Sequence, residues 1–263
     1  MITLENLDPN SPFFAQIQDQ GTDPVTIINT FLAPCGQADK VMEIWRHDAE
    51  LMMSKGCISA QLHRGTAPGS RVMTNVAVWE STAALRDAVL SPEFQRQLLT
   101  YPDGTVAYPH LVRPIAVRGI CIGNRWNSTH PQSAPSRAPN PQLNFRYLDP
   151  DLQLAEQLAQ TEGPFTLLDM LIAPNGEADE AIVGWRQHAL YMKARRGFIS
   201  GQLYRGIGSS NVLINLAVWE SAQALHEAVT APEFAALSAN YPVDSVCMRE
   251  AMRRTAIPGI CVA

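Results

Sequence analysis

The chain contains one short pattern twice, and this repetition limits its fold more than any other feature. Residues 75–81 (NVAVWES) recur at residues 215–221 (NLAVWES), and 215 minus 75 gives a period of 140 residues. Further matches at the same spacing are Ala33-Pro34 with Ala173-Pro174, Trp45-Arg46 with Trp185-Arg186, Tyr101-Pro102 with Tyr241-Pro242, and Gly119-Ile120-Cys121 with Gly259-Ile260-Cys261. Because this period is much longer than that of a solenoid repeat, the sequence predicts two copies of one small domain.

Composition excludes several classes of protein. Of the 263 residues, 46% are hydrophobic and 17% are charged, which is typical of a soluble globular protein. The formal net charge of -5 gives no basic surface for nucleic acid. We find neither an apolar run long enough to span a membrane nor a start typical of a secretory signal. Five cysteines without a C-x-x-C pair favour a reducing compartment, so we expect a cytoplasmic protein.

Each copy shows the same order of secondary-structure elements. Alternating branched and aromatic residues predict strands, and apolar residues at helical spacing predict helices. In the first copy we predict strand 25–32, helix 38–54, strands 58–64 and 71–80, a helix through residue 89, a short helix 92–99 and a last strand 117–122. A leading helix precedes each copy, and in the second copy Asp149 is predicted as its N-cap with Pro150 at the first helical position.

This order is that of a ferredoxin-like (βαββαβ) domain. The predicted strand 71–80 is apolar on both faces, so the sheet face without helices should be buried against a second sheet. We therefore predict an α+β fold of two tandem ferredoxin-like domains packed sheet to sheet as an intramolecular dimeric α+β barrel. The predicted domains are repeat 1 (residues 1–123) and repeat 2 (residues 148–263), joined by a polar, proline-rich linker (residues 124–147).

This element order and the Asn-x-x-x-Trp pattern resemble a known family. Residues 24–122 and 164–262 resemble the antibiotic biosynthesis monooxygenases of the dimeric α+β barrel superfamily. In length and layout the chain is similar to tandem members that include the ring-opening oxygenases of angucycline biosynthesis. The resemblance implies that Asn75, Trp79, Asn215 and Trp219 line pockets in which O₂ oxidises an aromatic polyketide. It also implies reduced flavin as a diffusible co-substrate from a separate reductase. Because the sequence contains no metal-ligand cluster, dinucleotide-binding loop or haem motif, we expect no tightly bound cofactor, and a further homodimer stays open.

Strand geometry supports the same roles for the repeated Asn and Trp. Positions four apart on a strand lie on one face, about 13 Å from each other. An amide on this face can hydrogen-bond a developing oxyanion, and an indole can pack on a polycyclic ring. The alternative is that both Trp side chains are ordinary core residues and that the Asn amides are paired with backbone groups.

The first strands of the two repeats differ at one position, where Asn29 corresponds to Asp169. Apolar neighbours make a charged Asp169 costly to bury, which raises its affinity for protons and suits a general base. The alternative is a structural ion pair, with Arg205 or Arg253 as the partner. On the strength of Asp169, we expect repeat 2 to carry the working pocket.

Other polar and aromatic residues are candidates for binding the substrate. These are Asn29, His63, Tyr204, Trp185, Arg205 and Arg253. His47, Asp48 and His188 lie on the first long helices, where we expect a solvated face.

Two classes of function follow from these features. The first is an oxygenase that acts on a polycyclic aromatic, and its enzymatic alternative is a polyketide cyclase that uses no oxygen. The second is a protein that binds a small hydrophobic ligand without changing it, as a carrier or sensor. No metal-ligand cluster is apparent, and the G-x-G-x-x-G pattern of dinucleotide-binding domains is absent from the sequence.

Overall fold

The computed structural model describes residues 1–125, 143–237 and 240–261. The chain forms two compact units. Unit 1 consists of Met1–Val112 and Met252–Ala263, and unit 2 consists of Arg113–Ala251. None of the helices within the described residues has the length and apolar character needed to cross a bilayer.

The two repeats contain matching elements. Repeat 1 contains β1 (Thr3–Leu4), α1 (Phe13–Gln16), β2 (Val25–Leu32), α2 (Ala38–Met53), β3 (Cys57–Gly65), β4 (Val72–Trp79), α3 (Thr82–Val89), α4 (Pro92–Leu98) and β5 (Val106–Ala116), and the short strand β6 (Asn124–Arg125) follows it. The second set is β7 (Asn144–Arg146), α5 (Leu154–Ala159), β8 (Phe165–Ile172), α6 (Ala178–Lys193), β9 (Phe198–Gly206), β10 (Val212–Trp219), α7 (Ala222–Thr230), α8 (Pro232–Leu237) and β11 (Val246–Thr255).

Each unit contains a sheet with the strand order of a ferredoxin-like domain. Unit 1 has the order β5-β2-β4-β3, and unit 2 has the order β11-β8-β10-β9. The register places Asn29 opposite Asn75 and Asp169 opposite Asn215. Ser81 and Ser221 begin α3 and α7 as N-caps, because each hydroxyl accepts a hydrogen bond from the backbone N–H three residues later. The predicted α+β class with two tandem ferredoxin-like domains is confirmed.

The last strand of each repeat was predicted at the wrong place. We expected residues 117–122 in repeat 1, whereas the strand is β5, Val106–Ala116. Pro109 and Pro114 lie inside β5 and hid it, because proline normally argues against a paired strand. Val117 and Cys121 instead form an isolated bridge that closes a turn.

These last strands also extend beyond the unit that contains most of their own repeat. Residues 252–255 of β11 pair with β3 in unit 1. In the same way β5 pairs with β9, and its end from Arg113 onward belongs to unit 2. Of the predicted linker 124–147, residues 126–142 lie outside the described residues, while β6 pairs with β5 and β7 pairs with β11.

The leading helix of repeat 2 begins later than predicted. Helix α5 starts at Leu154 with Gln153 as its N-cap, and the Glu156 carboxylate accepts a hydrogen bond from the Gln153 N–H at 3.1 Å. Asp149 is not the N-cap, because its carboxylate accepts from the Asp151 N–H and so forms a tight turn before the helix.

Candidate active site

A largely apolar cavity lies in unit 2 between one face of the sheet and helices α6, α7 and α8. It measures about 790 Å³ including the space at its open mouth. Its floor comes from alternate strand positions such as Leu167, Asp169 and Leu171 on β8 and Asn215 and Trp219 on β10. Since alternate side chains of a strand point to the same face, the period-two pattern of these strands produces this lining.

The wall opposite the sheet is one face of helix α6. Trp185, His188, Ala189 and Met192 line the cavity at helical spacing. His188 is only 8% exposed, so the expectation of a solvated helix face was wrong for this residue. His188 lies three residues after Trp185 and therefore belongs to the apolar stripe of the helix.

Three polar side chains meet on the cavity floor. Arg249 Nε on β11 lies 2.8 Å from Asp169 Oδ1, and the two side chains are 23% and 17% exposed. Asn215 Nδ2 donates a hydrogen bond of 2.9 Å to the other carboxylate oxygen of Asp169. Asn215 Oδ1 is buried and has no hydrogen-bond partner among the described residues. The Asp169 carboxylate thus lies between the Arg249 guanidinium and the Asn215 amide N–H.

The partner of Asp169 differs from both arginines that we considered from the sequence. Arg205 forms an ion pair with Asp179 at 3.3 Å. Arg253 is exposed on β11. Arg249 was missed because the predicted last strands were misplaced, so its position next to β8 was not foreseen. A correct placement of β5 would have indicated the position of Arg249, because the 140-residue spacing aligns Arg249 with Pro109 of that strand.

Burial controls the charge of the other polar groups in the cavity. Burial, reinforced by the Arg249 cation, lowers the pKa of His188 to about 3, so its imidazole is neutral near pH 7. The His188 ring packs against Phe234 and Tyr241, with ring centroids 5.1 and 5.0 Å away, and its Nε2 has no hydrogen-bond partner among the described residues. Burial also raises the pKa of the Cys247 thiol to about 12.

Aromatic rings form much of the apolar surface. The Trp219 indole meets Phe198 edge to face, with centroids 5.4 Å apart and an angle of 81° between the ring planes. Trp185 lines the same space from α6. Flat indole and phenyl surfaces around this cavity suit a planar aromatic ligand.

Repeat 1 contains an equivalent cavity of about 480 Å³ including the open space at its mouth. Asn29, Asn75 and Trp79 line it, as do the helix residues Trp45 and Asp48. Asp48 is only 6% exposed, so a solvated helix face was the wrong expectation here too. No carboxylate occupies position 29, and the residue aligned with Arg249 is Pro109.

Two of the predicted binding residues point away from these cavities. On β3, Ala60 lines the cavity of repeat 1, so His63 at an odd spacing points to the other sheet face. Burial and the Arg254 cation lower the pKa of His63 to about 4. On β9, Leu203 lines the cavity of repeat 2, and its neighbour Tyr204 points to the opposite face for the same reason.

His47 is exposed and lies near Glu50 on α2, as expected of a solvated helix position. Across residues 1–125, 143–237 and 240–261, no three His, Cys, Asp or Glu side chains are grouped so that they could hold a metal ion.

Comparisons with known structures support the fold. An anthrone oxidase-like protein has a TM-score of 0.60 and 13% identity, covering 94% of this chain and 99% of its own. A candidate monooxygenase from Fusobacterium nucleatum has a TM-score of 0.50 and 7% identity, covering 89% and 94%. At these identities the likeness shows the fold alone, which is the one that the sequence resemblance implied.

Comparisons by single repeat and by sequence are more limited. SnoaB, a cofactor-independent oxygenase from Streptomyces nogalater, covers 37% of this chain and 99% of its own, with 19% identity and a TM-score of 0.34. No curated protein matches the chain. The model of the antibiotic biosynthesis monooxygenase family matches residues 24–97. Within repeat 1, residues 24–97 are therefore similar to the antibiotic biosynthesis monooxygenase domain.

Proposed function

We propose that the cavity of repeat 2 is the active site of an oxygenase that oxidises an electron-rich polycyclic aromatic, of the kind made as polyketide intermediates, with O₂. The family of the matched domain supports this class of reaction. The observation that carries the proposal is the cluster of Asp169, Arg249 and Asn215 on the floor of a cavity that is otherwise mainly apolar.

The cavity can bind a flat, hydrophobic substrate. Trp185, Trp219 and Phe198 provide ring surfaces for it, and burial of its apolar area supplies most of the binding free energy. Asn215 Oδ1 can accept a hydrogen bond from a substrate hydroxyl, because it has no partner among the described residues. The substrate would therefore lie with its polar edge toward the cavity floor.

Asp169 is placed to act as the proton acceptor. Asp169 Oδ1 lies 2.8 Å from Arg249 Nε. The pKa of the other candidate base in the cavity, His188, is lowered to about 3 by burial, so its imidazole accepts a proton only weakly. When the substrate loses a proton to Asp169, it becomes an enolate or phenolate. Arg249 then lies next to the new negative charge, whose stabilisation lowers the barrier to proton removal.

The oxidation balances without another oxidant. The carbanionic carbon of the enolate forms a C–O bond to O₂ and gives a hydroperoxide. The second C–H proton then leaves as the O–O bond breaks, so that CH₂ and O₂ become C=O and water. In a flavin-dependent version, reduced flavin from a separate reductase supplies two electrons, one oxygen atom enters the substrate and the other leaves as water.

The test is oxygen consumption with a hydroxylated anthrone as the probe. Asp169→Asn should lower kcat by about 100-fold or more, because it removes the proton acceptor. Arg249→Gln should lower kcat by about 100-fold, because it removes the cation beside the developing negative charge. Asp179→Asn is the matched control, because Asp179 pairs with Arg205 in the same repeat and does not line the cavity. Full activity of Asp169→Asn with a normal melting temperature would refute the role of the carboxylate.

The same assay separates the alternatives. A probe that is retained unchanged in air, with and without reduced flavin, indicates a carrier or sensor. A product that forms equally well under nitrogen indicates a cyclase. Turnover only when reduced flavin is added assigns the electrons to flavin, and turnover without it assigns them to the substrate.

A further inference from the structure

Phe145 in repeat 2 is a large aromatic side chain that stays about half exposed. It lies on the short strand β7 and is 49% exposed. The guanidinium carbon of Arg249 lies over its ring, 4.4 Å from the ring centroid. Because the face of an aromatic ring attracts a cation, this geometry is a cation–π contact. The exposed ring therefore has a partner, and that partner is the cation on the cavity floor.

The ion pair with Asp169 does not fix the orientation of the guanidinium plane. Arg249 Nε and Asp169 Oδ1 lie 2.8 Å apart, but neither atom has a hydrogen-bond partner among the described residues. The contact is thus a charge attraction without an aligned hydrogen bond, and such an attraction depends mainly on distance. A guanidinium stacks on flat aromatic faces, so the Phe145 ring can set the orientation that the ion pair leaves open.

Arg249 lines a surface depression as well as the cavity floor. The other residues around this depression are Phe145, Arg146, Tyr147 and Leu154. A long arginine side chain gains hydration and rotamer freedom when its charged end turns toward water. The ring contact is made while Arg249 Nε faces Asp169, so it stabilises this conformation against an outward turn.

Repeat 1 lacks both members of this contact. Strand β7 pairs in parallel with β11, and β1 pairs in parallel with β5 in the same register. This register makes Leu4 the counterpart of Phe145, and the 140-residue spacing makes Pro109 the counterpart of Arg249. The ring and the cation therefore occur together in one repeat, and both are replaced in the other. This is the pattern expected if the ring serves the cation.

We propose that Phe145 is a positioning residue, which holds the Arg249 guanidinium against Asp169 and so sets where negative charge on the substrate is stabilised. Phe145 is not among the residues that line the cavity, so it acts through Arg249. The effect on turnover rests on the proposed oxygenase function. The effect on the ion pair does not, and it can be measured without a substrate.

The first experiment is oxygen consumption with the hydroxylated anthrone. Phe145→Leu gives repeat 2 the residue of repeat 1 and should lower kcat about tenfold, because a displaced cation stabilises the new negative charge less well. KM should stay within about twofold, since the apolar walls that bind the ring system are unchanged. Phe145→Trp keeps a ring face for the guanidinium and should keep kcat within about threefold of the natural value.

The matched control is Tyr147→Leu, because Tyr147 is an aromatic residue of similar exposure that lines the same depression. Its kcat should be that of the natural chain. A second control combines Phe145→Leu with Arg249→Gln, which leaves no cation to position. Phe145→Leu should then lower kcat no further, whereas a general packing defect would lower it in both backgrounds.

The second experiment measures the coupling between Asp169 and Arg249 by urea unfolding. A double-mutant cycle of Asp169→Asn and Arg249→Gln is carried out in the natural chain, in Phe145→Leu and in Tyr147→Leu. Expressed as a factor in the unfolding equilibrium constant, the coupling should fall at least about twofold in Phe145→Leu. It should not change in Tyr147→Leu.

The outcomes separate this inference from the oxygenase proposal. If the natural chain consumes oxygen and Phe145→Leu keeps the full kcat, or loses as much again in the Arg249→Gln background, the positioning role is overturned and the oxygenase proposal stands. If the natural chain consumes no oxygen, the oxygenase proposal fails. The coupling then decides alone, because an unchanged coupling in Phe145→Leu overturns the inference and a reduced one supports it.

Discussion

Arg249 Nε lies 2.8 Å from Asp169 Oδ1 in repeat 2, at positions that Pro109 and Asn29 occupy in repeat 1. The backbone frame of the two cavities is the same, because both pairs of positions lie on the same strands of equivalent sheets. The two repeats therefore differ at two neighbouring positions. Repeat 2 has a buried ion pair there, whereas repeat 1 has the uncharged residues Asn29 and Pro109.

The ion pair should show strong coupling in a double-mutant cycle. Asp169→Asn leaves a mostly buried arginine without its counter-ion, and we expect a loss of roughly 2 to 3 kcal/mol in the free energy of unfolding. Arg249→Gln should cost a similar amount, and the double variant should cost less than the sum. Urea unfolding at neutral pH measures this. Additive losses would contradict a direct interaction, and Asp179→Asn should cost less than about 1 kcal/mol because its pair is more exposed.

Asp48 should make the protein less stable as the pH rises. Its pKa is about 7 in the folded protein and 3.8 when unperturbed, so the folded state binds the proton more tightly. The stabilising contribution is complete below the unperturbed pKa and is lost as the pH rises through the folded pKa. Asp48→Asn, which keeps an acceptor for Tyr101, should therefore gain stability relative to the natural chain by roughly 2 kcal/mol between about pH 5 and pH 8.

The comparison with Asp48→Asn isolates this group, since His63 and His110 are common to both proteins. Burial lowers the pKa of each to about 4, so their contributions change with pH in the opposite direction. Asp87→Asn, at an exposed position on α3, serves as a control for the chemical change from Asp to Asn. A pH-independent difference for Asp48→Asn would refute the burial argument.

The cysteines should differ in their reactivity with alkylating reagents. Cys35 is exposed, whereas burial raises the pKa of Cys57 to about 11 and that of Cys247 to about 12. Because the thiolate is the nucleophile, Cys35 should react with iodoacetamide near pH 8 well before the other two. Peptide mass spectrometry over time measures this order. Rapid labelling of Cys247 in the folded protein would mean that the cavity floor opens to solvent.

Gln157 should be one of the most sensitive polar positions outside the cavities. Its side chain donates to Glu250 at 3.0 Å and accepts from the Ala251 N–H at 2.8 Å, which ties α5 to β11. Gln157→Ala leaves buried groups without this partner and should cost roughly 2 to 4 kcal/mol. Gln160→Ala, on the exposed side of the same segment, should cost less than about 0.5 kcal/mol. Equal melting temperatures for the two variants would contradict this assignment.

The sequence predicted best where a strong local pattern coincided with the repeat. The strands at 25–32 and 165–172 lie where alternation of apolar residues placed them. Alternation also predicted that each repeated Asn and Trp would share one face, and both pairs line a cavity. The roles of these residues in catalysis stay predictions.

The sequence failed where a residue's position depends on which strands are neighbours. Arg249 reaches Asp169 only because β11 lies beside β8, and no local pattern contains this pairing. The prolines inside β5 concealed this strand. Its alignment with the second repeat would have indicated the position of Arg249. Asp48 and His188 are a different case, since their spacing of three from Trp45 and Trp185 already placed them on buried helix faces.

The extended last strands have a consequence for any attempt to divide the protein. A chain cut between residues 126 and 142 would yield one fragment whose β3 lacks the end of β11, and another whose β9 lacks β5. Each fragment would expose a strand edge open to self-association. Because the strand ends are exchanged in this way, we expect fragment complementation. The two pieces should be soluble only when they are produced together.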